Sequence, residues 1–271
     1  MAASETKKAL IVVRTYPTPA RNGVEVSCTA AITESGEWLR LFPVRWRFLP
    51  SDRQFRKYQW VNISVQRTTK DRRPESYRLA DPAGIKILSP PLGTANGWRE
   101  RKRVVFPLRA HCLCCLVSAR DSQGSPTLGI FRPLNIDSLA VSAESASWTD
   151  KQLIILRQQN LFENMPRQEL EKIPFSFRYC FRCDEEKCPG HKLICTDWEM
   201  GESYRKWKRQ YGDGWEQKFR QRYESDMIRK YDTHFYVGTV HQHPQTWIIC
   251  GLFYPPRATS EEPTLFQFEP A

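Results

Sequence analysis

No stretch of this 271-residue chain approaches the roughly 20 apolar residues that crossing a bilayer as a helix requires. The opening MAASETKKALIVV has one short apolar run, and RTYPTPAR follows it at once. That order predicts a first β-strand rather than an export signal, and hence a cytoplasmic protein in which disulfides rarely persist. The sequence also lacks a Walker A motif, G-x-G-x-x-G, H-E-x-x-H and G-x-S-x-G. Those absences exclude the familiar routes to nucleotide phosphoryl transfer, dinucleotide chemistry and hydrolase nucleophile elbows. Its carboxylates are scattered, so no Mg²⁺ cage of the nuclease kind can be assembled from spacing. It has no internal repeat and no low-complexity tract.

Acidic residues are scarce at one end only. Residues 1–110 carry 21 Lys and Arg against nine Asp and Glu, a net +12 in a chain whose total is +11. A basic segment on a neutral remainder implies a polyanionic partner, most simply nucleic acid. An acidic protein partner would meet the same surface. Aromatics, by contrast, are plentiful, with nine Trp, ten Tyr and 14 Phe, which excludes a disordered chain.

The same segment reads as β-rich. Compact or alternating runs at Ala9–Pro17, Val24–Thr33, Trp38–Val44, Tyr58–Thr69 and Gly84–Leu88 are divided by turn signals, which predicts a small barrel or sandwich. A Pro/Gly/Ser-rich loop, LSPPLGTANGW, follows. Beyond it, HCLCCLVSAR predicts buried core, with Cys112, Cys114 and Cys115 as small hydrophobes. Ser147–Phe162 predicts a helix with Leu153, Ile154, Leu156 and Leu161 on its apolar side. Glu199–Asp232 predicts two helices broken at GDG, with Trp215, Phe219 and Tyr223 in a core-facing stripe. HFYVGTV and TWIICGLFY predict a terminal hairpin, and HQHP falls at its exposed turn.

At CTAAITESGEWLRLFPV the chain resembles the opening of bacterial dual-OB-type proteins, in which a C-x-A-G-I strand precedes a W-I-R-L strand. Cys28, Ala30, Ile32, Trp38, Arg40 and Leu41 match, and Ala31 stands where that pattern has glycine. The likeness covers roughly residues 9–70. The wider combination RTYPTPAR, WLRLFPVRWRFL, QFRKYQWV, DRRPES, FRCDEEKCPGH and DWE resembles an uncharacterised family of bacterial proteins. Together these imply an OB-like (or PUA-like) β-barrel and no mechanism. The expected architecture is α+β: a basic barrel over residues 1–110, then a zinc-bearing mixed α/β part over 111–271.

Barrels of this kind bind single strands by stacking bases on aromatic rings beside a basic groove. The candidate nucleic-acid contacts are Trp38, Arg40, Arg45, Trp46, Arg47, Arg56, Lys57, Trp60, Arg72 and Arg73. Even spacing puts Trp38, Arg40 and Phe42 on one strand face and Leu39 and Leu41 on the other. That first face admits two readings: a binding surface, or core aromatics flanking an ion-paired Arg40. Arg72 and Arg73 in RRPES could hold a phosphate or could lie in a plain solvated loop.

The window YCFRCDEEKCPGHKLICTDWE concentrates Cys180, Cys183, Cys188, His191 and Cys195. Its C-x2-C-x4-C-x2-H spacing suits a zinc knuckle closed by tight turns, one of them built on Pro189 and Gly190. Cys180, Cys183, Cys188 and His191 are the candidate metal ligands, with Cys195 or Asp197 able to replace Cys180. Zinc is the expected cofactor and an iron–sulfur cluster the alternative. The reading is of a nucleic-acid-binding protein with a structural zinc, in bacterial mobile-element or defence biology, rather than an enzyme. The alternative is a metal-dependent hydrolase or nuclease with Cys183, Cys188 and His191 on the metal and Asp197 or Glu199 as base.

Overall fold

The computed structural model describes residues 4–20, 24–68, 70–158 and 169–257. The basic segment forms β1 (Ser4–Arg14), β2 (Thr18–Ala20), β3 (Val24–Thr33), β4 (Trp38–Val44), β5 (Trp60–Arg67), β6 (Ser76–Leu79) and β7 (Lys86–Ile87). Five of these close on themselves in the order β1-β3-β4-β6-β5, with β5 pairing back on β1 from Ser4↔Gln66 to Leu10↔Trp60. All the pairings are antiparallel except β4 with β6. The result is a closed five-stranded β-barrel, which leaves no open edge among these strands.

β1 explains why ALIVV is continuously apolar rather than alternating. Ala9 and Ile11 point into the barrel with Leu39, Leu41, Phe55, Val61 and Ile63. Leu10, Val12 and Val13 point outward, into a second core shared with Leu128, Ile130, Tyr236, Cys250 and Phe253 of the C-terminal part. A strand buried on both faces needs apolar residues at every position. Each fully buried Leu, Ile or Val stabilises the fold by about 1.5–3 kcal/mol.

The remainder is a mixed α/β part. It contains α1 (Ala95–Val105), β8 (Arg109–Ala110), α2 (Leu113–Gln123), β9 (Leu128–Phe131), β10 (Asn135–Ala143), α3 (Asp150–Gln158), β11 (Phe175–Arg182) and β12 (His191–Ile194). α4 (Trp198–Tyr211), α5 (Trp215–Arg220), β13 (His234–Val240) and β14 (His243–Phe253) complete it. The strands form two sheets, β14-β13-β9-β8 and β10-β11-β12. α4 and α5 part at Gly212–Gly214, and Trp215, Phe219 and Tyr223 are all buried, as their spacing predicts. The stretch read as a loop before Arg99 already contains the start of α1. Asn96, Gly97 and Trp98 take left-handed backbone angles there, a local conformation with no periodic signature. Of the expected helix over 147–162, α3 covers Asp150–Gln158, and Leu161 lies outside the described residues.

The two halves are stitched together as well as packed. Thr15 bridges Asp197, Tyr16 N donates to the Thr196 carbonyl at 2.8 Å, and the Tyr16 hydroxyl donates to the Glu171 carbonyl. A Cβ on Gly201 in the first turns of α4 would collide with the Tyr16 ring, so glycine is what lets the helix approach this closely.

Candidate metal centre, junction and basic cleft

The face of β4 carrying Trp38, Arg40 and Phe42 exists, but the C-terminal part covers most of it. Trp38 packs edge-on against Tyr236, and only Phe42 is exposed. Arg40 is 4% exposed and pairs with Glu75 at 3.0 Å while donating to the Thr127 carbonyl at 2.7 Å. Burial alone would lower its pKa, and the anionic neighbours outweigh it and hold it raised. The expectation of a phosphate contact at Arg40 is therefore corrected: β9 and β13 lie over it. A Cβ at Gly238 would come within 3.3 Å of the Arg40 guanidinium, so that glycine opens the chamber.

Lys57 is corrected in the same way. Its ammonium is shared between Asp197 at 3.2 Å, Glu199 at 3.3 Å and the Leu252 carbonyl at 3.2 Å, so its three donors are engaged within the protein. Burial lowers the Lys57 pKa, but the two carboxylates hold it well above its ordinary value. Burial likewise raises Asp197, while Lys57 holds Glu199 down. Arg14 lies beside this junction between the Trp46 and Trp198 rings, 3.8 and 4.0 Å from their centroids. Burial takes its pKa down to about 10. Trp46 also donates its indole N–H to the Phe55 carbonyl at 2.8 Å, and Arg47 pairs with Glu25 at 2.8 Å. Trp60 is half-buried under the Lys8 ammonium, and Arg45 lies over the Phe48 ring. Arg56 remains exposed at the rim of the junction cleft. Of these side chains, read in sequence as a binding stripe, Trp38, Arg40, Trp46 and Lys57 join the barrel to its neighbour, while Arg45, Arg47 and Trp60 make contacts within the barrel.

Arg72 and Arg73 lie elsewhere. The 70–73 loop faces the end of α2 and the β13–β14 turn across a cleft of about 560 Å³. Lys70, Arg72, Arg73 and Arg120 line it against Asp71 and Asp121. Arg73 grips Asp71 at 2.6 Å and donates to the Thr239 carbonyl, which positions the loop. Burial would raise the Asp71 pKa, but the Arg73 hydrogen bonds hold it well below the usual carboxylate range. Lys70 and Arg72 are exposed. Arg120 is 7% exposed, pairs with Asp121 and Gln245, and leaves its Nε buried without a hydrogen-bond partner. Thr239 Oγ1 is in the same condition. Sequence reasoning missed Arg120, which sits on a helix with nothing local to mark it.

The Cys/His window folds as β11, a loop and β12. Cys183, Cys188 and His191 converge, and the fourth member of the group is Cys114 from α2, with all ligand atoms within 4.8 Å of one another. Cys114 Sγ lies 3.2 Å and Cys188 Sγ 3.4 Å from His191 Nε2. Zn–S bonds of about 2.3 Å and Zn–N bonds of about 2.0 Å put neighbouring S and N ligands of a tetrahedral zinc roughly 3.5 Å apart, and the two sulfur–nitrogen distances are close to that. Burial raises the Cys114 thiol and lowers His191, leaving the neutral imidazole that binds a metal. Cys180 stands outside the group because it alternates with buried Tyr179 and Phe181 on the opposite face of β11. As the sequence predicts, α2's cysteines pack in or against the core, and Cys114 in addition takes a place in this group.

Asp197 and Glu199 do not join this centre. Asp197 caps α4, accepting from Glu199 N at 2.7 Å and Leu252 N at 3.1 Å besides Lys57. The cleft it lines shares no residue with the depression around Cys114 and His191. A carboxylate held by two backbone N–H groups and a lysine is a helix cap and a joint, not a base aimed at a metal-bound water.

Among the described residues no helix is long and apolar enough to cross a membrane. No curated protein matches the sequence. Among solved structures, a crystal structure of the tetrameric p202 HIN2 aligns over 95% of this chain and 96% of its own, at 7% identity. Its TM-score of 0.31 is too low to carry an argument. A model for the domain of unknown function DUF8758 matches residues 5–107, and one for DUF8757 matches residues 109–270. The second covers more than half of the sequence, and the chain belongs to the DUF8757 family.

Proposed function

We propose that this protein binds nucleic acid, single-stranded or non-canonical DNA or RNA, through the basic cleft between the 70–73 loop and α2. One observation carries the reading: Lys70 and Arg72 stand exposed in a cleft that Arg73 and Arg120 also line. Four cations gathered in one cleft suit a ligand with anionic oxygen acceptors. The closed barrel supports it, since counting its five strands alone gives the order first, second, third, fifth, fourth expected of an OB-like barrel. The +12 segment supplies the long-range attraction to a polyanion. A zinc on Cys114, Cys183, Cys188 and His191 is structural in this reading, because protein ligands fill all four positions.

Fluorescence anisotropy with labelled single-stranded DNA and RNA at 50 and 200 mM salt tests the proposal. Affinity should fall steeply with salt, by about 10³-fold or more if six phosphates are neutralised. Lys70→Glu with Arg72→Glu should weaken binding at least tenfold and flatten the salt slope. Salt-independent binding, or charge reversals without effect, would overturn the assignment. Capture of an acidic protein that survives nuclease treatment would replace it.

A further inference from the structure

α2 brings three cysteines to the metal region, and the Cys3His group uses one of them. Cys112 and Cys115, on either side of Cys114, meet Glu185 from the loop between β11 and β12. Two sulfurs and a carboxylate oxygen there lie within 4.8 Å of one another. Cys112 is fully buried at the N-cap of α2, where its sulfur accepts the Cys115 backbone N–H at 3.0 Å. The C-x2-C spacing at the head of the helix returns both sulfurs to one side within a single turn, while Cys114 between them points to His191. The same two chain segments, 112–115 and 183–191, therefore supply both groups.

We propose that this region holds two zinc ions: one on Cys114, Cys183, Cys188 and His191, and a second on Cys112, Cys115 and Glu185. The second set has three protein ligands, so its fourth coordination position is left for water or an incoming ligand. Two thiolates with one carboxylate select a borderline divalent cation such as zinc over magnesium or calcium, which take oxygen alone. Glu185 is exposed and Cys115 half-buried, which gives the ion a way in, while Cys112 anchors it from below. The proposal shares chain segments with the structural-zinc reading, but the two sites have no ligand in common and can fail separately.

The test is metal content of the full chain, purified in reductant, loaded with zinc, desalted and measured by elemental mass spectrometry. The wild type should carry two zinc ions, Cys115→Ser one, and Cys114→Ser the other one. Glu185→Gln, a change at an exposed position that leaves the fold alone, should let one zinc go at a chelator concentration at least tenfold lower. In cobalt titration, the second equivalent should add a thiolate charge-transfer band that Cys115→Ser lacks. One zinc in the wild type, unaltered by Cys115→Ser or Glu185→Gln, would overturn the second site and leave the first standing. One zinc that is lost with Cys115→Ser and kept in Cys114→Ser would do the reverse. No zinc at all would overturn both.

Discussion

Arg40 shows how one side chain can satisfy a binding pattern in sequence and serve a different end in the fold. Its guanidinium joins Glu75 of the barrel to the Thr127 carbonyl of the C-terminal part, and Thr127 Oγ1 also donates to Glu75. Removing one member of a buried, hydrogen-bonded ion pair strands the other charge away from water, at a cost of about 3–5 kcal/mol. Glu75→Ala should lower the free energy of unfolding by that order in a urea titration. Arg40→Leu with Glu75→Leu should recover much of the loss, because it leaves no charge behind. The even spacing of Trp38, Arg40 and Phe42 was legible. That another sheet would lie on the face they share was not, because the covering residues are 87 to 199 positions away. Cys114 is the same case: 77 residues separate it from His191, and no local spacing rule reaches that far.

At the scale of elements the sequence is more informative. The runs Val24–Thr33 and Trp38–Val44 mark β3 and β4 to the residue, although β3 is buried on both faces and burial along β4 does not alternate, because the C-terminal part lies over the barrel there. The GDG break and the aromatic stripe likewise place α4 and α5. What patterning could not give is how closely α4 approaches the barrel. Gly201 meets the Tyr16 ring, which in turn packs on Trp198 with centroids 5.7 Å apart. Gly201→Ala should therefore push the helix off its seat and destabilise the protein by about 1–3 kcal/mol, the usual penalty of overpacking. Adding Tyr16→Leu should make the pair cost less than the sum of its parts, since the collision is then relieved. A thermal-melt double-mutant cycle reads this directly.

Across the whole molecule, the cations and the aromatics beside them are divided by purpose. Lys57, Arg14 and Trp46 build the joint, while Lys70, Arg72 and Arg120 stay in the basic cleft. Because Leu10, Val12 and Ile32 share a core with Tyr236 and Phe253, the barrel and the C-terminal part should melt together. Calorimetry should record one transition for the wild type. Lys57→Met, which leaves Asp197 buried without its ion-pair partner, should lower its midpoint by several degrees without splitting it.

The doubly buried β1 has a mechanical consequence. A strand that belongs to two cores cannot act as a hinge, so the barrel and the sheet beyond it form a caliper with a fixed gap. Whatever occupies the basic cleft lies between two halves that do not swing on each other. Under the proposed binding mode, discrimination falls to the compliance of the ligand: a limp single strand can bend into the gap, and a stiff duplex is turned away by its own rigidity.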